Sequence, residues 1–197
     1  MVGDESTLSP DSRKRMLLRV LENLRRALYC LHASNGIARG NPTYTAPQIL
    51  PLAMDALHWH SVLLAAKAFD HHARAASFVK LQGLYPDIVE VSALARSFDL
   101  AQLEAFTAKL RKIRNRALAH DDLDDLDREQ NVWGEHAITT GEFIACVEFA
   151  FDAANDMLEA EGGERLERLN YTGSDAEELA RTANKLGLPQ KWAQMLN

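Results

Sequence analysis

Between positions 114 and 120 the chain reads Arg-Asn-Arg-Ala-Leu-Ala-His. These residue types suit proton transfer beside a phosphate. Histidine titrates near pH ~6.5 and passes protons close to neutrality. Arginine keeps its charge at any ordinary pH, and its planar fork matches phosphate oxygens. It can therefore stabilise charge that builds up on a phosphorus centre. The spacing adds a constraint. At ~100° per helical residue, Arg114 and His120 point about 120° apart, whereas Arg116 and His120 differ by about 40°. One regular helix does not aim Arg114 and His120 at the same atom. Either the helix unwinds near its end, or two chains bring their motifs together. The competing account leaves Arg114 and Arg116 solvated and His120 as a helix-end residue, where the helix dipole alone favours it.

The run Arg114-Asn115 to His120 resembles the HEPN superfamily, whose ribonucleases carry an Arg, a polar residue, a short spacer and a His. More narrowly it resembles the AbiU-type abortive-infection branch. There the His follows an Ala and precedes an Asp, as in Leu118-Ala119-His120-Asp121. Upstream, Phe69-Asp70, Ser77-Phe78 and residues 94–99 also resemble that branch, so the likeness spans roughly residues 45–125. The resemblance implies a metal-independent endoribonuclease of the toxin or phage-defence type. RNA supplies its own nucleophile, the 2′-hydroxyl, and the product carries a 2′,3′-cyclic phosphate. Arg114 and His120 would be catalytic, with Asn115, Arg116 and Asp121 in support. Arg114 is preferred to Arg116 because a polar residue follows it. The three residues between Arg116 and His120 are also fewer than the family pattern asks. The resemblance further implies a composite site in a homodimer, an RNA substrate, a cognate antitoxin as partner, and no cofactor or metal. A non-catalytic HEPN module that binds RNA or a protein is the alternative from another class.

Other clusters carry weaker chemistry. His71 or His72, His120-Asp121 and Asp152 fall in the order of an HD-type metal phosphohydrolase, since His and carboxylate together can hold a metal. His58 and His60 lie two apart on a helix and face different ways. The acidic residues Asp121, Asp122, Asp124, Asp125 and Asp127 lack the glycine and ligand spacing of an EF-hand loop, so a solvated turn is expected. Trp133 and Trp192 suit a core or an interface equally.

The elements that must position these groups read as helices throughout, and the expected fold is an all-α, HEPN-like helical bundle with additional C-terminal helices. Ser9 before Pro10 marks a helix start. Met16, Leu17, Val20, Leu21, Leu24, Leu28 and Leu31 follow at helical spacing, with an end near Ser34-Asn35-Gly36. A second helix is expected from about Thr45 and Pro47 to Phe69, a shorter one over 74–84, and another over 86–98. Asp99 with Gln102 forms a capping-box pattern. It opens a helix whose Leu103, Phe106, Leu110, Ile113 and Ala117 make a seam, which serves either the chain's own core or a two-fold helix pairing. Thr139 with Glu142 opens a further helix running to Gly162-Gly163, and residues 174–196 give one more helix and a tail.

The 197 residues are expected to form one domain, with 1–8 disordered and 172–197 as a helical appendage. A chain of this size needs no disulfide or metal to hold its core. Cys30 and Cys146 sit inside helical patterns, which indicates a reducing compartment. The N-terminus is polar and acidic, unlike a secretory signal. No apolar run approaches the ~20 residues needed to cross a bilayer. A cytoplasmic location without membrane partners follows as the expectation. The net charge of −6 counts against a strong non-specific nucleic-acid binder, because phosphate neutralisation supplies most of such binding. A locally basic site remains compatible with it.

Overall fold

The computed structural model describes residues 8–41, 49–72, 74–117, 137–168 and 170–185, with the backbone alone at 116 and 117. They form seven α-helices and, among the described residues, no strand, so the fold is all-α. In order these are α1 Pro10–Gly40, α2 Ile49–Ala68, α3 Phe78–Leu84, α4 Pro86–Ala95, α5 Leu100–Ala117, α6 Thr140–Ala160 and α7 Ser174–Lys185. The chain divides into two compact units, one of Met1–Arg25 with Leu63–Glu167 and one of Arg26–Val62 with Arg168–Asn197.

The first unit is organised by aromatic rings. Phe69 meets Phe78 and Phe106 edge-on at 5.8 and 5.5 Å, and Phe106 meets Phe143 at 5.7 Å. Leu103, Phe106, Leu110 and Ile113 of α5 are all buried in this core. The apolar seam of α5 is therefore occupied by its own chain. Local signals fix the helix ends. Ser9 Oγ accepts from the Ser12 N–H at 3.2 Å, Asp99 Oδ1 from Ala101 at 2.9 Å, and Thr139 Oγ1 from Glu142 at 3.1 Å. Each satisfies a helix N–H that has no partner within its own helix. The Glu142 carboxylate does not return to Thr139; it takes Lys109 Nζ at 2.8 and 3.0 Å.

Two boundaries in this unit differ from the sequence expectation. The short helix expected over 74–84 begins only at Phe78, because Ser77 Oγ caps it through the Lys80 N–H at 3.3 Å. The helix expected over 86–98 ends at Ala95. Ser97 takes a left-handed φ of 51° and donates to the Leu94 carbonyl at 3.2 Å, while the Phe98 N–H returns to Ala93 at 2.9 Å. This is a Schellman ending, built without the usual glycine. Phe98 is then laid flat on Phe149, ring centroids 4.1 Å apart.

Polar ties complete the unit. Arg13 reaches Glu161 at 2.9 Å, and the Tyr85 hydroxyl donates to the same carboxylate at 2.6 Å. Arg96 bridges Asp152 at 3.3 Å and Asp156 at 3.0 Å, and Ser92 donates to Asp156. The buried Asn155 faces Leu166 with both ends of its amide. Its Oδ1 accepts from the Leu166 N–H at 2.8 Å and its Nδ2 donates to the Leu166 carbonyl at 3.1 Å.

In the second unit helices meet backbone to backbone. A Cβ on Gly36 would lie 2.1 Å from the Gly173 carbonyl oxygen, and one on Gly40 would lie 2.2 Å from that of Glu177. For this reason α1 continues through Gly36 to Gly40 and does not stop near Ser34. The glycine leaves room for another segment and does not break the helix. Ile37, Leu50 and Ala180 form a small core, flanked by Ala53, Met54, Leu57, Ala176 and Ala183. Residues 174–185, read from sequence as an appendage, supply α7 to this unit. Asn184 Nδ2 donates to the Gly40 carbonyl at 2.9 Å, so the end of α1 is capped from α7.

One helix among the described residues, Ile49–Ala68, is long and apolar enough to cross a membrane, with a mean hydropathy of 1.3 and a third of its span buried. The expectation that nothing approached that length is corrected on this point. Asp55 and Lys67 interrupt the apolar run, but the average over the helix absorbs them.

Candidate functional site

The second half of α5 is locally basic, with Lys109, Arg111, Lys112, Arg114 and Arg116 following one another and no acid among them. Burial of Leu103, Phe106, Leu110 and Ile113 turns the opposite faces outward. Arg111 and Arg114, three residues apart, point within about 60° of each other. Lys109 is already held by Glu142, and Arg111 and Arg114 line a recess together with residues at the end of α2.

That end is shaped by Asp70. Phe69 is buried, and the next residue leaves the helix. Asp70 Oδ1 accepts from the His72 N–H at 3.1 Å, a side-chain turn that replaces the next helical bond. The same oxygen lies 3.0 Å from Arg114 Nη1. Burial by itself pushes the Asp70 carboxyl up. The Arg114 hydrogen bond, the His72 N–H and the charges of both residues outweigh it and hold the group below its usual range. Asp70 is thus an anion that fixes the Arg114 guanidinium. Arg114 keeps 36% of its side chain exposed. Its Nε points to Asn115 Oδ1 at 3.4 Å, so neither of these bonds uses Nη2.

Between α2 and α5 lies a small open recess. Its floor is apolar, from the buried Ala66, Phe69 and Leu110; its rim carries Asp70, His71, Arg111 and Arg114. Asp70, His71, Arg111 and Arg114 therefore line one small opening, with the Asp70 carboxylate and the Arg114 guanidinium in contact. Such a set can orient a phosphate oxygen against fixed donors and move a proton beside it.

Of the residues singled out by the motif, Arg114 and Asn115 are placed in contact. His120 and Asp121 lie outside the described residues, as do the side chain of Arg116, the acidic run that follows, Trp133 and Trp192. Sequence reasoning missed the link from Asp70 to Arg114. Its available signal was an acid placed immediately after the last buried residue of an apolar helix.

Asp152, a member of the HD-type set, is paired with Arg96. Among the described residues no three His, Cys, Asp or Glu side chains stand where they could hold a metal ion. Of the other members of that set, His71 and His72 follow the end of α2, and His120 and Asp121 lie outside the described residues. Both cysteines are buried and free. Burial, then the charge of Glu142, pushes the Cys146 thiol up to about 12, and burial also raises that of Cys30. Neither supplies a thiolate nucleophile near neutrality. The chain matches no protein-family model, no curated protein and no solved structure.

Proposed function

We propose that the protein is a metal-independent endoribonuclease of the toxin or phage-defence type, a HEPN-like bundle with additional C-terminal helices. One observation carries the reading. Arg114 is fixed by Asp70 at the edge of a small recess, beside Arg111, with part of its guanidinium open to solvent. A cation held in place before substrate arrives stabilises developing charge without reorganising. In the reaction the 2′-hydroxyl oxygen bonds to phosphorus as its proton leaves. The P–O5′ bond breaks, and the departing oxygen takes up a proton. The products are a 2′,3′-cyclic phosphate and a 5′-hydroxyl. Arg114 faces the non-bridging oxygens, His120 transfers protons, and Asn115, Arg116 and Asp121 support them. A second copy of the chain completes the site, because on an ideal helix the spacing of Arg114 and His120 would turn them about 120° apart. The setting is cytoplasmic, with a cognate antitoxin as partner.

The Asp70 ion pair also favours a second reading. It compensates the charge of Arg114, as it would in a module that binds RNA or a protein without cutting it.

Cleavage by the purified protein in excess EDTA separates the two. Arg114→Ala should lower saturated turnover by at least about 100-fold, the scale of losing one charge-stabilising donor. Arg116→Ala should chiefly raise the substrate concentration required. A 2′-deoxy residue at the cut site should abolish cleavage, and light scattering should report twice the monomer mass. Loss of activity in EDTA, cleavage of the deoxy substrate, or a strict monomer that still cuts would overturn the mechanism. RNA binding with no cleavage would establish the second reading.

A further inference from the structure

Ion pairing divides the described cations in the second half of α5. Lys109 lies 2.8 Å from Glu142, and Arg114 lies 3.0 Å from Asp70. Arg111 and Lys112 are exposed, and among the described residues neither makes an ion pair or hydrogen bond. Helical register separates these two. Lys112 is about 160° from Arg114 around α5, whereas Arg111 is about 60° from it and ~4.5 Å away along the axis. Arg111 is thus the uncompensated charge beside Arg114, and both line the recess.

The same face offers donors. Asn115 falls about 40° to the other side of Arg111 and is exposed. Its Oδ1 faces Arg114 Nε at 3.4 Å, so its Nδ2 hydrogens are left for a ligand. Arg114 keeps Nη2, because Nη1 meets Asp70 and Nε meets Asn115. Arg111, Asn115 Nδ2 and Arg114 Nη2 all donate, which suits a ligand rich in anionic acceptors. Towards the start of the helix the face changes sign. The exposed Glu104 lies two turns before Arg111, within about 20° of it and about 10 Å away along the axis.

We propose that this face of α5 holds the sugar–phosphate backbone of a single-stranded RNA, with Arg111 gripping the phosphate next to the one that reacts; the inference rests on the nuclease reading above for its occupant. Arg114 is tethered by Asp70 and stays with the reacting phosphate. Arg111 has no tether, so its long side chain follows the neighbouring one. Glu104 repels the backbone and marks where the strand must leave the helix. Arg111 is a binding residue and takes no part in the bond changes.

The test measures Kd by fluorescence anisotropy for a short 2′-O-methyl oligoribonucleotide, which lacks the nucleophile and stays intact, across about 50–300 mM KCl. Arg111→Gln should weaken binding about tenfold at the lowest salt and reduce the slope of log Kd against log salt by about 0.7, the loss of one phosphate contact on a single strand. Arg111→Lys should keep that slope, since the charge remains. Arg19→Gln, at an exposed arginine of α1 that also has no ion pair, should match wild type. Glu104→Gln should tighten binding a few-fold. On a cleavable RNA, Arg111→Gln should raise KM and leave kcat within a few-fold. An unchanged Kd and slope in Arg111→Gln, or an equal loss in Arg19→Gln, overturns this inference, and cleavage by the same wild-type preparation then leaves the nuclease reading standing. Binding through Arg111 without cleavage overturns the nuclease reading alone. A wild-type chain that ignores the oligonucleotide and binds polyglutamate through Arg111 assigns the face to an acidic protein and overturns the inference.

Discussion

In the unit holding α3 to α6, helices are held apart by bulk: Phe69, Phe78, Phe106 and Phe143 interlock edge to face, and α5 presents four large side chains to them. In the unit of residues 26–62 and 168–197, helices are held together by the absence of bulk. Gly36, Gly40 and Gly173 let carbonyl groups approach where a methyl would collide, and the core around Ile37 is mostly alanine. The contrast decides what each unit can lose. Bulk tolerates small adjustments but leaves a hole when removed. Close approach tolerates nothing added. The candidate recess lies in the first kind of unit, where large side chains fix α5 and thereby the direction of Arg114.

The largest effect expected from breaking this contrast is in the aromatic core. Phe106 is fully buried and touches two other rings. Phe106→Ala should cost about 3–5 kcal/mol, read as a lower urea midpoint. It should also blur the Arg114 site. A loss below 1 kcal/mol would mean that the ring network is not the organising core.

Gly36→Ala comes next. Its Cβ would meet a backbone oxygen that cannot rotate away, so overpacking should cost about 1–3 kcal/mol. The gain in helix propensity, about 1 kcal/mol at an interior glycine, offsets part of it. Hydrogen exchange should show the loss in α7 and at the end of α1, with α5 and α6 still protected. Uniform loss across α1 to α7 would show that the two packing modes do not fail separately.

The smallest effect sharpens the comparison with pH. The Tyr85 hydroxyl holds the Glu161 carboxyl below its usual 4.5, opposed by burial and helped by Arg13. A carboxyl lowered on folding stabilises at pH above its unfolded value, and that contribution disappears as pH falls through the folded value. Tyr85→Phe should lower stability at pH 7 by about 1 kcal/mol, the net worth of a hydrogen bond. It should also flatten the loss of stability below pH 4.5. A variant with an unchanged acid limb would show that the tie contributes nothing.

The same contrast explains which parts of the sequence were readable. Ser9, Asp99 and Thr139 act within a few residues of themselves, and each sits where its side chain predicts. The stripe Leu103, Phe106, Leu110 and Ile113 is equally local. Gly36 was misread because its neighbour, Gly173, is distant in sequence; alone, a glycine after Ser-Asn looks like a stop. Ser97 has no glycine signal, since its conformation is imposed by the bonds around it and by Phe98 lying on Phe149. In the site, Arg114 was legible as part of a motif. Its anchor was not, because Asp70 reads as an ordinary helix-end acid until folding brings α5 beside it.

The Asn155 amide carries a consequence measured in protein lifetime. Beside Leu166 it supplies the two bonds that a neighbouring strand would give, inside a unit whose described regular elements are all helices. The amide presents a donor and an acceptor side by side in that order, whereas an ionised carboxylate only accepts. Hydrolytic deamidation to aspartate would set a second acceptor against the Leu166 carbonyl, where Nδ2 now donates at 3.1 Å. A change of a single atom group would turn attraction into repulsion at a buried point. Ageing at this residue would thus release the segment that follows α6 while leaving every helix in place.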